Sequence, residues 1–221
     1  MPIKAILFDH DGTLVDSEPT HWRLWQAVLH PYGVTLTEQE YKDRHAGMPT
    51  AANAADIAQR HAIALGAHAL AEAKYAVTRA FLASDAFPLM PGVGEVLQVF
   101  RTAGLRLGIV TGAGTVGVEA TLRAHALHDV FETIVTSDDV KRGKPAPECY
   151  QLAAERLGLR PDECVAIEDT VHGVNAAAAA GMDCLAVPNE MSRHHDFAKA
   201  AAVLSDLPAA VEWVGRRVRE R

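Results

Sequence analysis

The stretch LFDHDGTLVDSE, residues 7–18, brings an apolar run to an end on two acids. Asp9 and Asp11 flank His10, and Gly12-Thr13 follow at once. The preceding residues, IKAILF (3–8), have the composition of a short strand buried on both faces. Residues one apart on an extended chain share a face. As the strand ends and the chain turns, both carboxylates can point at one spot while His10 points elsewhere. A plain turn or capping pair would use the same residue types. The rest of the chain decides between the two.

Similar runs recur at LRLGIV (105–110), ETIVT (132–136), ECVAIE (163–168) and DCLAVP (183–188). Helical patterns separate them. VGEVLQVFRTAG (93–104) carries an apolar face of Val93, Val96, Leu97 and Phe100, and stops at Gly104. ECYQLAAERLG (148–158) and the Ala-rich VHGVNAAAAAG (171–181) also end on glycine. Buried strands alternating with helices predict an α/β fold, a Rossmann-like parallel sheet covered on both faces. A last helix carries Leu207, Val211, Val214 and Val218 on one stripe and is expected to cover the sheet.

Residues 19–84 break this rhythm, with helical patterns and no strand pattern. Trp22, Trp25, Leu29 and Tyr32 form one stripe; Leu70, Ala73, Val77 and Phe81 form another. VDSEP (15–19) and FPLMPG (87–92) bracket the stretch with turn-prone residues. The expected organisation is a core of residues 1–15 and 89–221, with an all-helical cap, residues 16–88, inserted after the first strand. The two brackets would form a double hinge, and Trp22 and Trp25 would be cap core.

A chain of 221 residues, 49% of them apolar, suits one domain with an insert. The net charge of −7 argues against a nucleic-acid or anionic-membrane binder. It leaves room for a small anionic substrate in a local pocket. The sequence shows no signal peptide and no apolar run of transmembrane length. Cys149, Cys164 and Cys184 are odd in number, widely spaced and set in apolar contexts. They read as reduced core thiols of a cytoplasmic protein. The chain is expected to act as a monomer, with a dimer left open.

In open parallel sheets, ligands gather at the carboxyl ends of the strands. The residues after each run therefore matter: Asp9 and Asp11; Thr111 and Gly112; Ser137, Asp138 and Asp139, then Lys141, Arg142 and Lys144; Glu168, Asp169 and Thr170. Carboxylates crowded on one rim repel unless a cation sits among them, and hard oxygen ligands suit magnesium better than zinc. A lysine, a threonine hydroxyl and backbone amides near Gly112 suit a phosphate. The combination is what phosphoryl transfer needs. Thr111 has a second reading, as cap of the helix that follows. His194-His195 reads as a solvated loop rather than a metal site.

Asp9-His10-Asp11-Gly12-Thr13 resembles the DxDGT motif of the haloacid dehalogenase-like (HAD) superfamily. Thr111 fits its second motif, Lys144 in KRGKPAPE the third, and Glu168-Asp169 in IEDTVHGVNAAAAAGM the fourth. Order and spacing match over nearly the whole chain. The insert resembles the small cap of the phosphatase and beta-phosphoglucomutase branch. His10 departs from the apolar residue usual between the two acids and reads as a packed side chain.

The resemblance implies roles. Asp9 would attack phosphorus and form an aspartyl-phosphate. Asp11 would protonate the leaving oxygen and then activate water. Asp9, the backbone carbonyl of Asp11, and Asp169 would hold magnesium, with Glu168 as a ligand or a support. Thr111, Gly112 and Lys144 would bind the transferring phosphate. His21 would be a cap-hinge histidine. DRHAGMPT (43–50) would be the specificity loop, centred on Gly47 with His45 and Thr50 beside it. Beta-phosphoglucomutases typically carry Lys-Gly-x-Ser-Arg there, and the two basic positions are Ala46 and Thr50 here. Dehalogenases lack the second aspartate. The expected function is therefore a magnesium-dependent phosphatase of a small phosphorylated metabolite, a sugar phosphate or a phosphoglycolate-like compound. A phosphomutase and a non-catalytic binding protein are the alternatives.

Overall fold

A computed structural model describes residues 2–219. In chain order the elements are β1 (Ala5–Phe8), α1 (Glu18–Leu29), α2 (Glu38–Arg44), α3 (Thr50–Arg60), α4 (Ala67–Ser84), α5 (Val93–Thr102), β2 (Arg106–Val110), α6 (Thr115–Ala124), β3 (Thr133–Val135), α7 (Glu148–Arg156), β4 (Cys164–Glu168), α8 (Val171–Ala179), β5 (Asp183–Ala186), β6 (Ala202–Val203) and α9 (Leu207–Arg219). The chain divides into two compact units, Ser17–Phe87 and the remainder.

The larger unit is built on a sheet ordered β3-β2-β1-β4-β5-β6. Every pairing is parallel. The strand β1 is central, which explains why all four of its residues are buried. Alternation along β1 splits its side chains between two faces. Ala5 and Leu7 join a cluster with Cys149, Tyr150 and Ala153 of α7 and Val174 and Ala177 of α8. On the other face the Phe8 ring meets Phe100 of α5 and Phe131, centroids 6.2 and 6.4 Å away. Burying each such ring contributes about 2 kcal/mol. The last strand, β6, is only two residues long and lies in the Ala-rich run AAAVL (200–204), too short and too weakly β-forming to stand out as a strand.

Pairing register sets where the strands end. Phe8 lies opposite Ile109 and Ile167, so Asp9, Val110 and Glu168 are brought to the same edge. After Asp9 the chain folds back tightly: Leu14 and Val15 donate backbone hydrogen bonds to His10 O, at 2.9 and 3.0 Å, and Gly12 donates to Val15 O at 2.8 Å. Val15 then forms an antiparallel bridge with Leu89, and Asp16 N donates to Pro88 O at 2.8 Å. The two connecting segments thus pair with each other at the edge of this unit.

The smaller unit is all-helical. Trp25, Val28, Leu29, Leu36, Tyr41, Ala54, Ile57 and Leu70 form its core, with Trp22 packed against it. Two stripe expectations need correction. Tyr32 is 43% exposed, because α1 stops at Leu29 and the 3₁₀ turn carrying Pro31 ends the helical spacing. On α4 the fully buried residues are Leu70, Ala71, Lys74 and Leu82, while Ala73 and Val77 of the predicted stripe pack against the same core partly buried. Lys74 is only 1% exposed, so a charged side chain sits where the apolar pattern had no entry point. Among the described residues, no helix is long and apolar enough to cross a membrane.

Candidate active site

Lys144 organises the strand edge. Its ammonium has three protons and three acceptors: Asp9 Oδ1 at 2.5 Å, Glu168 Oε1 at 2.5 Å and the Val110 carbonyl at 2.9 Å. These come from β1, β4 and β2, so one side chain ties the ends of three strands. Lys144 also lies over the Tyr150 ring, 5.3 Å from its centroid. The Tyr150 hydroxyl donates to Glu168 Oε1 at 2.7 Å. Burial, together with the negative charge of Glu168, holds that phenol well above its ordinary range, so it remains a donor.

Glu168 has no exposed surface. Its Oε1 takes Lys144 and Tyr150, and its Oε2 takes the Thr170 hydroxyl at 3.4 Å. Asp169 is also buried, and Asn189 Nδ2 donates to its Oδ2 at 2.8 Å. Its Oδ1 is buried with no hydrogen-bond partner. Gly12 is required beside it: φ is +81°, and a Cβ there would stand 2.3 Å from Asp169 Oδ2.

The charges do not balance among these side chains. Asp9, Glu168 and Asp169 each bring a carboxylate oxygen within 4.8 Å of the others, all three residues buried, against one lysine. Burial and the Glu168 charge push Asp9 up to about 7, against the pull of Lys144. Burial, then Asp9 and Glu168, push Asp169 well above the carboxylate range. Burial alone would lower Lys144, but the two carboxylates outweigh it and hold the lysine above its ordinary value. A partnerless buried oxygen in an all-oxygen acidic cluster fits a hard divalent cation. Such an ion would supply the missing positive charge.

The remaining core candidates lie along the same edge. Thr111 is buried, its amide donating to Val135 O and its Oγ1 accepting from Ala113 N at 2.9 Å. It does not cap α6, whose first residue, Thr115, is bonded to Asp138 instead. Gly112 is exposed beside it. The Asp11 side chain is 32% exposed and its Oδ2 lies 3.2 Å from His10 Nδ1. Asp138 and Asp139 serve the loop itself: Asp138 bonds Thr115, and Asp139 bonds Thr136 and Arg156.

The four candidates of the helical unit are placed within that unit. His21 Nδ1 meets Lys74 Nζ at 3.2 Å, and its ring packs against Phe87. The His45 ring is buried against Asn53, 3.2 Å from Nδ1 to Oδ1. Gly47 N donates to Glu18 Oε1 at 2.9 Å, and Thr50 opens α3.

Two contributors escaped the sequence reading. Asn189 follows the β5 run, so the rule applied to the other strand ends would have found it. Tyr150 lies on the buried face of α7, where nothing but its type distinguishes it from core.

The family model of the haloacid dehalogenase-like hydrolases matches residues 3–181. Fructose-1-phosphate phosphatase YqaB of Escherichia coli (strain K12) is 37% identical over 183 residues, 83% of this chain and 95% of that protein. Protein CbbY of Cereibacter sphaeroides is 34% identical over 213 residues, 91% of each chain. A crystal structure of an Asp-to-Asn variant of CbbY from Rhodobacter sphaeroides, in complex with xylulose-(1,5)bisphosphate, matches with a TM-score of 0.77 at 30% identity. That match covers 93% of this chain and 95% of the other.

Proposed function

The chain belongs to the haloacid dehalogenase-like hydrolases, and from that premise we propose that it is a magnesium-dependent phosphatase of a small sugar phosphate. The observation that carries the reading is the buried Asp9–Glu168–Asp169 cluster, held by one lysine at the carboxyl ends of parallel strands. The fructose 1-phosphate in one relative's name and the xylulose 1,5-bisphosphate in the other's crystal complex support the sugar phosphate class.

In this reading Asp9 is the nucleophile. Its carboxylate attacks phosphorus, the ester P–O bond breaks, and Asp11 gives a proton to the departing sugar oxygen. Asp11 then takes a proton from water as the water oxygen attacks phosphorus. The aspartyl-phosphate bond breaks, and phosphate leaves with Asp9 restored. Lys144 and Thr111, with the amide of Gly112, bind the transferring phosphoryl oxygens. Asp9, the main-chain carbonyl of Asp11, and Asp169 would hold magnesium, whose charge offsets that of the phosphoryl oxygens. Glu168 holds Lys144 against Asp9; with both its oxygens already engaged, support is its main task. The helical unit acts as the cap, residues 16–88 in the sequence division, with His21 at the hinge and Gly47, Thr50 and the neighbouring His45 shaping specificity. Its closure would exclude bulk water.

The absence of Lys and Arg at positions 46 and 50 favours hydrolysis over a mutase, which must hold a phosphate at either end of its sugar. The three cysteines are buried and free of disulfides, which supports a reducing, cytoplasmic setting. We take the chain to act there as a monomer.

The test is phosphate release from a panel of phosphorylated sugars and phosphoglycolate, with and without magnesium. Magnesium-dependent release from a preferred sugar phosphate is the expected result. Isomerisation of a hexose 1-phosphate to its 6-phosphate without phosphate release would establish the mutase instead. Tight binding with neither product would establish a binding protein.

A further inference from the structure

His10 sits between the two acids with no exposed surface, and its ring spans two elements. Nε2 lies 2.9 Å from Thr121 Oγ1 on α6, and Nδ1 lies 3.2 Å from Asp11 Oδ2. The Thr121 hydroxyl also lies 3.2 Å from Gly117 O, one helical turn back. Given to the shorter contact, its proton goes to His10 Nε2, which leaves the ring proton on Nδ1, where it donates to Asp11 Oδ2.

The geometry points to His10 as a positioning residue that ties the Asp11 carboxyl, through its ring, to Thr121 of α6. The inference rests on the phosphatase reading above and adds a part to it. Asp11 stands on a tight loop with its side chain 32% exposed, so its rotamer is not fixed by burial. Asp9 is fixed by Lys144. Asp11 has to serve two partners in succession, a sugar oxygen and then a water, and needs one orientation for both. A rigid ring anchored in α6, where Thr121 is 1% exposed, holds Asp11 Oδ2 in one place. An apolar residue at position 10 would fill the same space and hold nothing.

The test separates the two half-reactions with p-nitrophenyl phosphate and magnesium. Nitrophenolate leaves without an acid, so the first burst reports Asp9, Lys144 and the metal. Turnover after the burst needs Asp11 as base toward water. In His10→Phe the burst rate should stay within about threefold of wild type while steady-state turnover falls about 100-fold, the scale of a displaced acid–base group. Phosphoenzyme should accumulate. His10→Asn, whose amide stands where Nδ1 was, should recover turnover to within about tenfold of wild type. Thr121→Val, which removes only the far anchor, should give the same pattern more weakly.

Equal losses in burst and steady state would make His10 a packing residue and overturn the proposal. So would unchanged turnover in both His10→Phe and Thr121→Val. If wild type itself releases no nitrophenol, the phosphatase reading falls, and this inference falls with it.

Discussion

The carboxyl group of Glu168 occupies the space where a side chain at position 173 would begin: a Cβ on Gly173 would stand 1.9 Å from Glu168 Cδ. The first turn of α8 therefore packs its bare backbone on the group that holds Lys144. Thr170 caps that turn by accepting from Gly173 N at 3.2 Å.

Replacing Gly173 with alanine should accordingly do harm in a helix, where alanine is normally favoured by about 1 kcal/mol. Glu168 must move, and its hold on Lys144 goes with it. We expect Gly173→Ala to lower kcat about 100-fold and to destabilise the protein by about 2 kcal/mol. Steady-state kinetics and urea unfolding check this. Wild-type kcat with a gain in stability would show that Glu168 is not confined as described.

Asn189 should tune metal affinity without touching the reacting atoms. Its amide binds Asp169 Oδ2 at 2.8 Å, and Gly12 O lies 3.4 Å away. Asn189→Ala should raise the magnesium concentration for half-maximal activity about tenfold, with kcat at saturating magnesium much less affected. A magnesium titration of phosphate release reads both quantities. An unchanged half-saturation point would remove Asn189 from the metal's support.

Lys74 of α4 gives the helical unit a pH signature. Burial lowers its pKa from the ordinary 10.5 to about 8, against the opposing charge of Glu18. The unfolded chain then binds this proton more tightly than the fold does. Below pH 8 the full penalty is present; between pH 8 and 10.5 it is relieved, so this group makes stability rise with pH. The difference amounts to about 3 kcal/mol. Lys74→Met removes the group. The stability of wild type relative to this variant should therefore improve by roughly that amount from pH 7 to pH 10.5. Paired denaturation curves at the two pH values measure it. A constant difference would mean that Lys74 stays charged at no cost.

The parts of this site that could be read from sequence are those written at strand ends. Asp9, Asp11, Glu168 and Asp169 each follow an apolar run, and parallel register brings Asp9 and Glu168 to one edge without further information. Lys144 lies 135 residues from Asp9 and was legible through its motif alone. What Glu168 does was not legible, since its partners Tyr150 and Lys144 arrive from α7 and the loop before it. The buried lysine on α4 was hidden for a different reason. Apolar periodicity cannot place a charged residue on a core face, so the stripe of Leu70, Ala73, Val77 and Phe81 passed Lys74 by. His10 looked like packing because its two partners, one adjacent and one 111 residues away, are invisible to spacing.

The most direct measurement is magnesium-dependent phosphate release from the preferred sugar phosphate by wild type and by Asp9→Asn, with circular dichroism confirming that both are folded. If Asp9 is the nucleophile, the variant loses turnover by at least about 10⁴-fold while keeping its fold. Wild-type turnover in folded Asp9→Asn would contradict the account at its centre.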